Sequence, residues 1–319
     1  MSDPQDGRIH KAVLRDGDVE VSVLSLGAVT QSWLVPLDGD RVPVILSYPR
    51  PEDYRHNPYY LGAIVGRVAN RIGQAQFPLG GARVALCAND GPHHLHGGPF
   101  GLHRQNWQMT PDGDRMVTLR HRSPDGAGGY PGAVAFCIQI SLSGYTLRYD
   151  MTAMPDRPTP ISLAQHSYYH LGTPDIRQLE VEVSADQITL LDEEQIPTGL
   201  LSPVAGTVLD LRTPRRAAHA FDQNYVLRAD APFAARVAAP NGLQLLMCSD
   251  QPGLQLYTGH HLTGVHGAGH KPFSGLCLEA QGFPDSVNQP AFASIMATPD
   301  KPYRQLLEVT IAPMAVSNA

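Results

Sequence analysis

The chain has 319 residues, 17% of them charged, with a formal charge of −6 and a pI near 6.1. That balance speaks against a nucleic-acid or anionic-membrane partner, and no basic cluster exceeds the pair Arg215-Arg216. Glycine (30) and proline (28) are spread along its length, which disfavours a helical protein and favours many short strands joined by turns.

The first six residues are polar and acidic, without the basic-then-apolar pattern of a signal peptide. No apolar stretch approaches the ~20 residues of a membrane helix. Cys87, Cys137, Cys248 and Cys277 lie far apart and form no C-x-x-C pair, so reduced, mostly buried thiols are expected. A cytoplasmic compartment follows as the expectation.

In chain order, Val19, Val21 and Val23 open the period-two alternation of a strand, flanked by turn signals at Asp16-Gly17-Asp18 and Asp38-Gly39-Asp40. Residues 51–60 read as a short helical turn. Residues 66–73, Gly-Arg-Val-Ala-Asn-Arg-Ile-Gly, carry two arginines four apart. They read as a solvated loop with salt-bridging arginines, or as a cleft wall where Asn70 and Arg71 offer amide and guanidinium donors to ligand hydroxyls.

Residues 89–101 hold His93, His94 and His96 before Gly97-Gly98. An extended backbone would put His94 and His96 on one side, so a metal site has to be weighed. Only Asp90 supplies a nearby carboxylate, and an imidazole carried into a pocket by a glycine-rich loop is the more economical reading. Val134, Phe136, Ile138, Ile140 and Leu142 then alternate with polar and small residues, and Leu147, Tyr149 and Met151 continue the pattern. Ser143-Gly144 between them predicts a hairpin.

Residues 162–171 crowd Gln165, His166, Ser167, Tyr168, Tyr169 and His170 between two leucines, as a buried hydrogen-bonded cluster or as a site. Leu179, Val181 and Val183 form a further strand, and residues 214–220 read as a second short helical turn. Asp222 precedes a strand as a turn cap or as an acceptor aimed into a cavity. Gln255 sits inside the strand pattern of residues 253–259. The glycine-rich residues 264–269 read as a loop over or beside a site. Alternation puts Glu279 on the side of Cys277, opposite Leu276 and Leu278. Leu307, Val309 and Ile311 close the series.

These patterns predict an all-β chain of antiparallel sheets packed as a sandwich, one domain over residues 1–319. His166 and Glu279 stand out as one imidazole and one carboxylate in a chain with no metal, phosphate or nucleophile motif. Together they suit chemistry that only moves protons.

Taken in order, residues 66–73, 95–98, 129–132, 166–168, 222–227, 255–259 and 275–288 resemble the aldose 1-epimerase (galactose mutarotase) family. The resemblance implies a large antiparallel β-sandwich, Glu279 as general base and His166 as general acid. It places Asn70, Arg71, His96, Asp222 and Gln255 on sugar-binding positions, with Tyr168 adding to the contact, and implies no metal or organic cofactor. The expected partner is a small sugar, with no nucleic acid and no membrane, in a monomer or homodimer.

Departures from the family pattern are Gln165 before His166, His170 for an asparagine, Gln223 where histidine is common, and His260 where asparagine is usual. They bear on which sugar is preferred. Alternatives are a non-catalytic sugar-binding sandwich, or an epimerase of a hexose phosphate for which Arg67 is the available cation. A carboxylate beside His166 is expected to favour its protonated form, which would set an acid limb above the ordinary histidine pKa of ~6.5.

Overall fold

In the computed structural model, residues 7–264 and 269–314 are described. Two antiparallel sheets dominate. The larger has nine strands: Gln108–Asp112, Met116–Ser123, Val134–Ser143, Thr146–Pro155, Tyr303–Pro313, Leu243–Ser249, Ala235–Ala238, Glu180–Val183 and Arg215–Arg216 in spatial order. The second has six: Tyr168–Tyr169, Leu276–Gln281, Gly253–Tyr257, Asp222–Leu227, Ala185–Leu191 and Pro197–Pro203. A four-stranded sheet from Lys11 to Pro43 accompanies them. No helix among the described residues is long and apolar enough to cross a membrane.

Alternation explains how the sheets meet. Val134, Phe136, Ile138, Ile140 and Leu142 are buried on one face, while Ala135, Gln139 and Ser143 on the other are exposed. They enter one continuous core with Tyr225, Leu254, Leu256, Leu276, Leu278 and Ala280 of the six-stranded sheet. Each such side chain contributes on the order of 1.5–3 kcal/mol when fully buried. The opposite face of the six-stranded sheet is different from the expected wet surface. Every residue of Leu276–Gln281 is buried, so its polar positions are covered too.

Local expectations mostly match. The hairpin forms, with Ser143 paired to Thr146 and the two-residue loop falling on Gly144-Tyr145, one position later than Ser143-Gly144. Gly144 has φ +54°, which glycine adopts without Cβ strain. The helical turn expected within residues 51–60 is a 3₁₀ turn over Pro51–Arg55. Residues 214–220 hold no helix. Arg215-Arg216 instead pairs with Val181 and Glu180 at the sheet edge, where an open row of backbone groups outweighs local preference. Cys277 alone is fully buried among the four free cysteines; the others are partly exposed. Of the loop expected at residues 264–269, residues 265–268 lie outside the described residues.

Candidate active site

The six-stranded sheet builds one wall. Asp222 pairs with Tyr257, and Gln255 with Glu279, so Asp222, Gln255 and Glu279 project from the same face on three adjacent strands. Tyr168 pairs with Cys277 and joins that face. Gln255 Nε2 donates to Asp222 Oδ1 at 2.6 Å, which fixes both groups.

His166 arrives from the crossing segment before Tyr168. Its N–H donates to Ala63 O and its carbonyl accepts from Gly62 N–H, tying it to residues 62–65. Gln165 bends its side chain onto the next residues, accepting from Ser167 N–H at 3.0 Å and donating to Ser167 Oγ at 2.6 Å. The departure from the family pattern at position 165 therefore braces the histidine backbone.

The opposite wall comes from a short ladder in which Arg71 pairs with Leu95, bringing Asn70 beside His96. Asn70 and His96 have φ of +63° and +52°. His96 N–H donates to Asn70 O (3.2 Å), and Asn70 N–H donates to His96 Nδ1 (3.1 Å). Since Nδ1 accepts, the neutral His96 ring carries its hydrogen on Nε2. Gly97 follows at φ +84°, and a Cβ there would lie 1.8 Å from Gly66 O. That position admits only glycine, and the close approach holds the two loops together. Arg71 Nε donates to Asp90 at 2.7 Å.

These walls enclose a pocket of about 170 Å³ lined by Asn70, Arg71, His96, His166, Tyr168, Asp222, Gln255 and Glu279. All eight residues singled out in the sequence meet there. His166 Nε2 lies 3.7 Å from Glu279 Oε1, with both side chains about 95% buried or more. Tyr60 also lines the pocket, its ring 4.7 Å from that of His96 and 5.6 Å from that of His166. The sequence offered no signal for it beyond the Tyr59-Tyr60 pair within an apparent helical turn. Tyr257 and Tyr59 were missed for the same reason: aromatic residues in strands and loops ordinarily pack.

Burial reverses one electrostatic expectation. It pushes the His166 imidazole down to about 4 and Glu279 well above the carboxylate range, with Asp222 adding to the rise. An ion pair at 3.7 Å would work the other way, raising the histidine. With both groups almost fully desolvated, burial dominates, so the charged form of each is disfavoured. His96 is likewise held neutral by burial and by the neighbouring histidines.

His93, His94 and His96 do not form a cluster. His93 Nδ1 accepts from Gln74 N–H, with Nε2 3.5 Å from Glu194. His94 is buried between Tyr130 Oη and Cys87 O, at 2.8 and 2.6 Å. A different trio, His96, His166 and Glu279, has ligand atoms within 4.8 Å of one another, a donor set that zinc accepts. His96 does not fit that role: Nδ1 is taken by the Asn70 amide and Nε2 keeps its hydrogen. The trio suits proton transfer and hydrogen-bond donation instead.

Arg67 is also reassigned. It is buried, with Nε and Nη2 donating to Ser123 Oγ, Nη2 to Pro124 O, and Nη1 to Pro131 O and Gly132 O. The arginine offered as a phosphate cation is a clamp on residues 123–132.

A sequence model described as aldose 1-epimerase matches residues 10–310. The chain is 37% identical over 318 residues to galactose mutarotase of Mus musculus, covering 93% of this chain and 92% of that protein. Aldose 1-epimerase of Escherichia coli (strain K12) is 33% identical over 315 residues, covering 90% of each. Among solved structures, galactose 1-epimerase from Lactobacillus acidophilus NCFM superposes with a TM-score of 0.86 at 27% identity, covering 96% of this chain and 95% of that one. An aldose epimerase homologue from C. elegans reaches 0.92 at 22% identity, covering 97% and 100%, which speaks to the fold.

Proposed function

The chain belongs to the aldose 1-epimerase family, and on that premise we propose that Glu279 is the general base and His166 the general acid of its reaction. It is an isomerase that interconverts the α and β anomers of a free aldose. One observation carries the assignment: His166 Nε2 and Glu279 Oε1 lie 3.7 Å apart on the floor of the pocket. The anomeric oxygen and the ring oxygen of a pyranose hang on the same carbon, so the two groups that serve them have to stand side by side rather than on facing walls.

Glu279 takes the proton of the anomeric hydroxyl as His166 delivers one to the ring oxygen, and the C1–ring oxygen bond breaks. The open aldehyde turns about C1–C2. His166 then removes the proton from the former ring oxygen as it attacks the other face of C1, and Glu279 returns its proton to the carbonyl oxygen. The pair begins and ends with one proton, which the two half-steps return to His166. Each group is worth ~10²–10⁴ in rate.

His96 cannot share the acid role, because a neutral ring whose Nδ1 accepts a backbone hydrogen bond would have to become imidazolate. It donates from Nε2 to a sugar oxygen. Asn70 and Arg71 donate to hydroxyls, Asp222 and Gln255 accept from them, and Tyr168 with Tyr60 packs on the ring. These contacts hold the open chain in place for reclosure.

Among the described residues Arg67 is committed to Ser123 and backbone carbonyls, and Arg71, whose Nε is paired with Asp90, is the one guanidinium lining the pocket, which disfavours a hexose phosphate. Residues 1–319 are read as one catalytic domain acting in the cytoplasm. The test is optical rotation of freshly dissolved α-anomers of glucose, galactose, xylose, arabinose and a hexose 6-phosphate, with and without protein. Acceleration for free aldoses is expected. No acceleration for any of them, with tight binding retained, would leave only a sugar-binding module.

A further inference from the structure

Beside the acid–base pair, the same sheet face carries polar groups that the reaction as written does not use. Twelve buried side-chain nitrogen and oxygen atoms lack a hydrogen-bond partner among the described residues, and six of them belong to this sheet. They are Thr189 Oγ1, both amide atoms of Asn224, both amide atoms of Gln281, and Glu279 Oε2. The concentration matters because orphaned buried amides are costly and are satisfied in folded proteins, by water where no protein atom reaches.

Their placement follows from the strand register. Asn224 pairs with Gln255 and Gln255 with Glu279, so the three form one cross-strand row. Gln281 lies two residues beyond Glu279 on the same face, opposite Gly253. A Cβ on Gly253 would meet Asn224 Oδ1 at 2.7 Å and Gln281 O at 3.1 Å. The bare glycine thus makes room for the Asn224 amide to lean toward the strand that bears Glu279 and Gln281. Asn224 and Gln281 are 1% and 0% exposed.

We propose that Asn224 and Gln281 are positioning residues for the base: with bound water, their amides form a buried hydrogen-bond network ending on Glu279 Oε2, which aims the carboxylate and favours its ionised form. The proposal rests on the reading of Glu279 as base. That reading needs such donors. Burial and Asp222 both push Glu279 toward its protonated form, whereas the reaction begins from the carboxylate. The titratable groups around it are Cys277 on its own strand, Tyr168, Tyr257 and Asp222 on other strands of the same sheet, His166 beside it, and His96 on the opposite wall. The guanidinium lining the pocket, Arg71, is tied to Asp90. Hydrogen bonds donated to a carboxylate favour its charge, and the Asn224 and Gln281 amides on the same sheet face are buried donors without another partner among the described residues.

Gln281→Met and Asn224→Leu remove the donors at similar volume. The full chain is assayed by polarimetry from pH 5 to 10, with the spontaneous rate subtracted. A hydrogen bond to a charged group corresponds to about a ten- to hundredfold effect. Each variant should lose about that much kcat, with KM within about twofold. The alkaline limb, where the pair gives up its shared proton, should move up by about one to two pH units. A merely structural role would lower kcat or stability and leave that limb in place, which overturns the proposal. If both variants fail to fold, a high-resolution experimental structure of the wild-type protein decides. Water bridging Oε2 to the Asn224 and Gln281 amide nitrogens supports the network, and Oε2 surrounded by carbon sinks it. The two readings fail separately: an active Glu279→Gln removes the base itself, whereas an inactive Glu279→Gln with unmoved limbs in both amide variants removes only the network.

Discussion

Replacing Glu279 by Gln is the sharpest perturbation of the site. The change keeps the shape of a side chain that is 2% exposed, so it opens no cavity and leaves the core beneath the strand unchanged. It also removes a carboxyl whose charge is disfavoured by burial, so stability should hold or rise slightly. What disappears is the acceptor of the anomeric proton. A positioned general base contributes ~10²–10⁴ in rate, equivalent to about 3–5 kcal/mol in the barrier. Asn70, Arg71, Asp222 and Gln255 stay in place, so KM should change by less than about threefold. Polarimetry with a fresh α-anomer gives kcat, and calorimetric titration with the equilibrated sugar gives binding. A kcat within about threefold of wild type would refute the reasoning. So would an unchanged kcat with a greatly raised KM, which would make Glu279 a binding group only.

His166→Asn should lower kcat by a comparable ~10²–10⁴, with sugar binding retained; an unchanged rate in the same assay would move the acid elsewhere. Stability should fall as pH drops from about 6.5 toward 4. His103 and His166 are pushed down by burial to about 3 and about 4, so the unfolded chain takes up protons that the native fold refuses. Each is worth on the order of 3 kcal/mol by pH 4, while Glu279 and Asp285, both raised, act in the opposite sense above the carboxylate range. Urea unfolding between pH 4.5 and 7.5 measures the slope, and a flat profile contradicts it. Arg67→Met should leave Pro124, Pro131 and Gly132 carbonyls unpartnered and cost on the order of 3 kcal/mol, seen as a lowered urea midpoint with KM little changed. Gly97→Ala should collide with Gly66 O and displace His96, reducing kcat and thermal stability together. Wild-type behaviour of that variant would show that the loops separate at little cost.

Much of the site was legible before any coordinates. Period-two alternation is a local property of the backbone, so it was enough to put Glu279 with Cys277 and against Leu276 and Leu278, as the strand Leu276–Gln281 bears out. The ordered strings around Asn70, His96, His166, Asp222, Gln255 and Glu279 likewise marked the residues that converge on one pocket. Tyr60 escaped notice because its role depends on three histidine rings from distant segments. Arg67 and His94 looked like candidates for ligands, yet each satisfies buried polar groups of a neighbouring loop.

The sequence by itself determined the strand faces, the sandwich and the cast of polar residues, since these follow from repeating backbone geometry and from short motifs. Only the tertiary structure decided that His166 and Glu279 stand side by side, that the His96 ring is fixed with Nδ1 as acceptor, and that His166 is pushed down rather than up in pKa. Those outcomes come from cross-strand register and from water being excluded around groups brought together from far along the chain. No local stretch of residues encodes them.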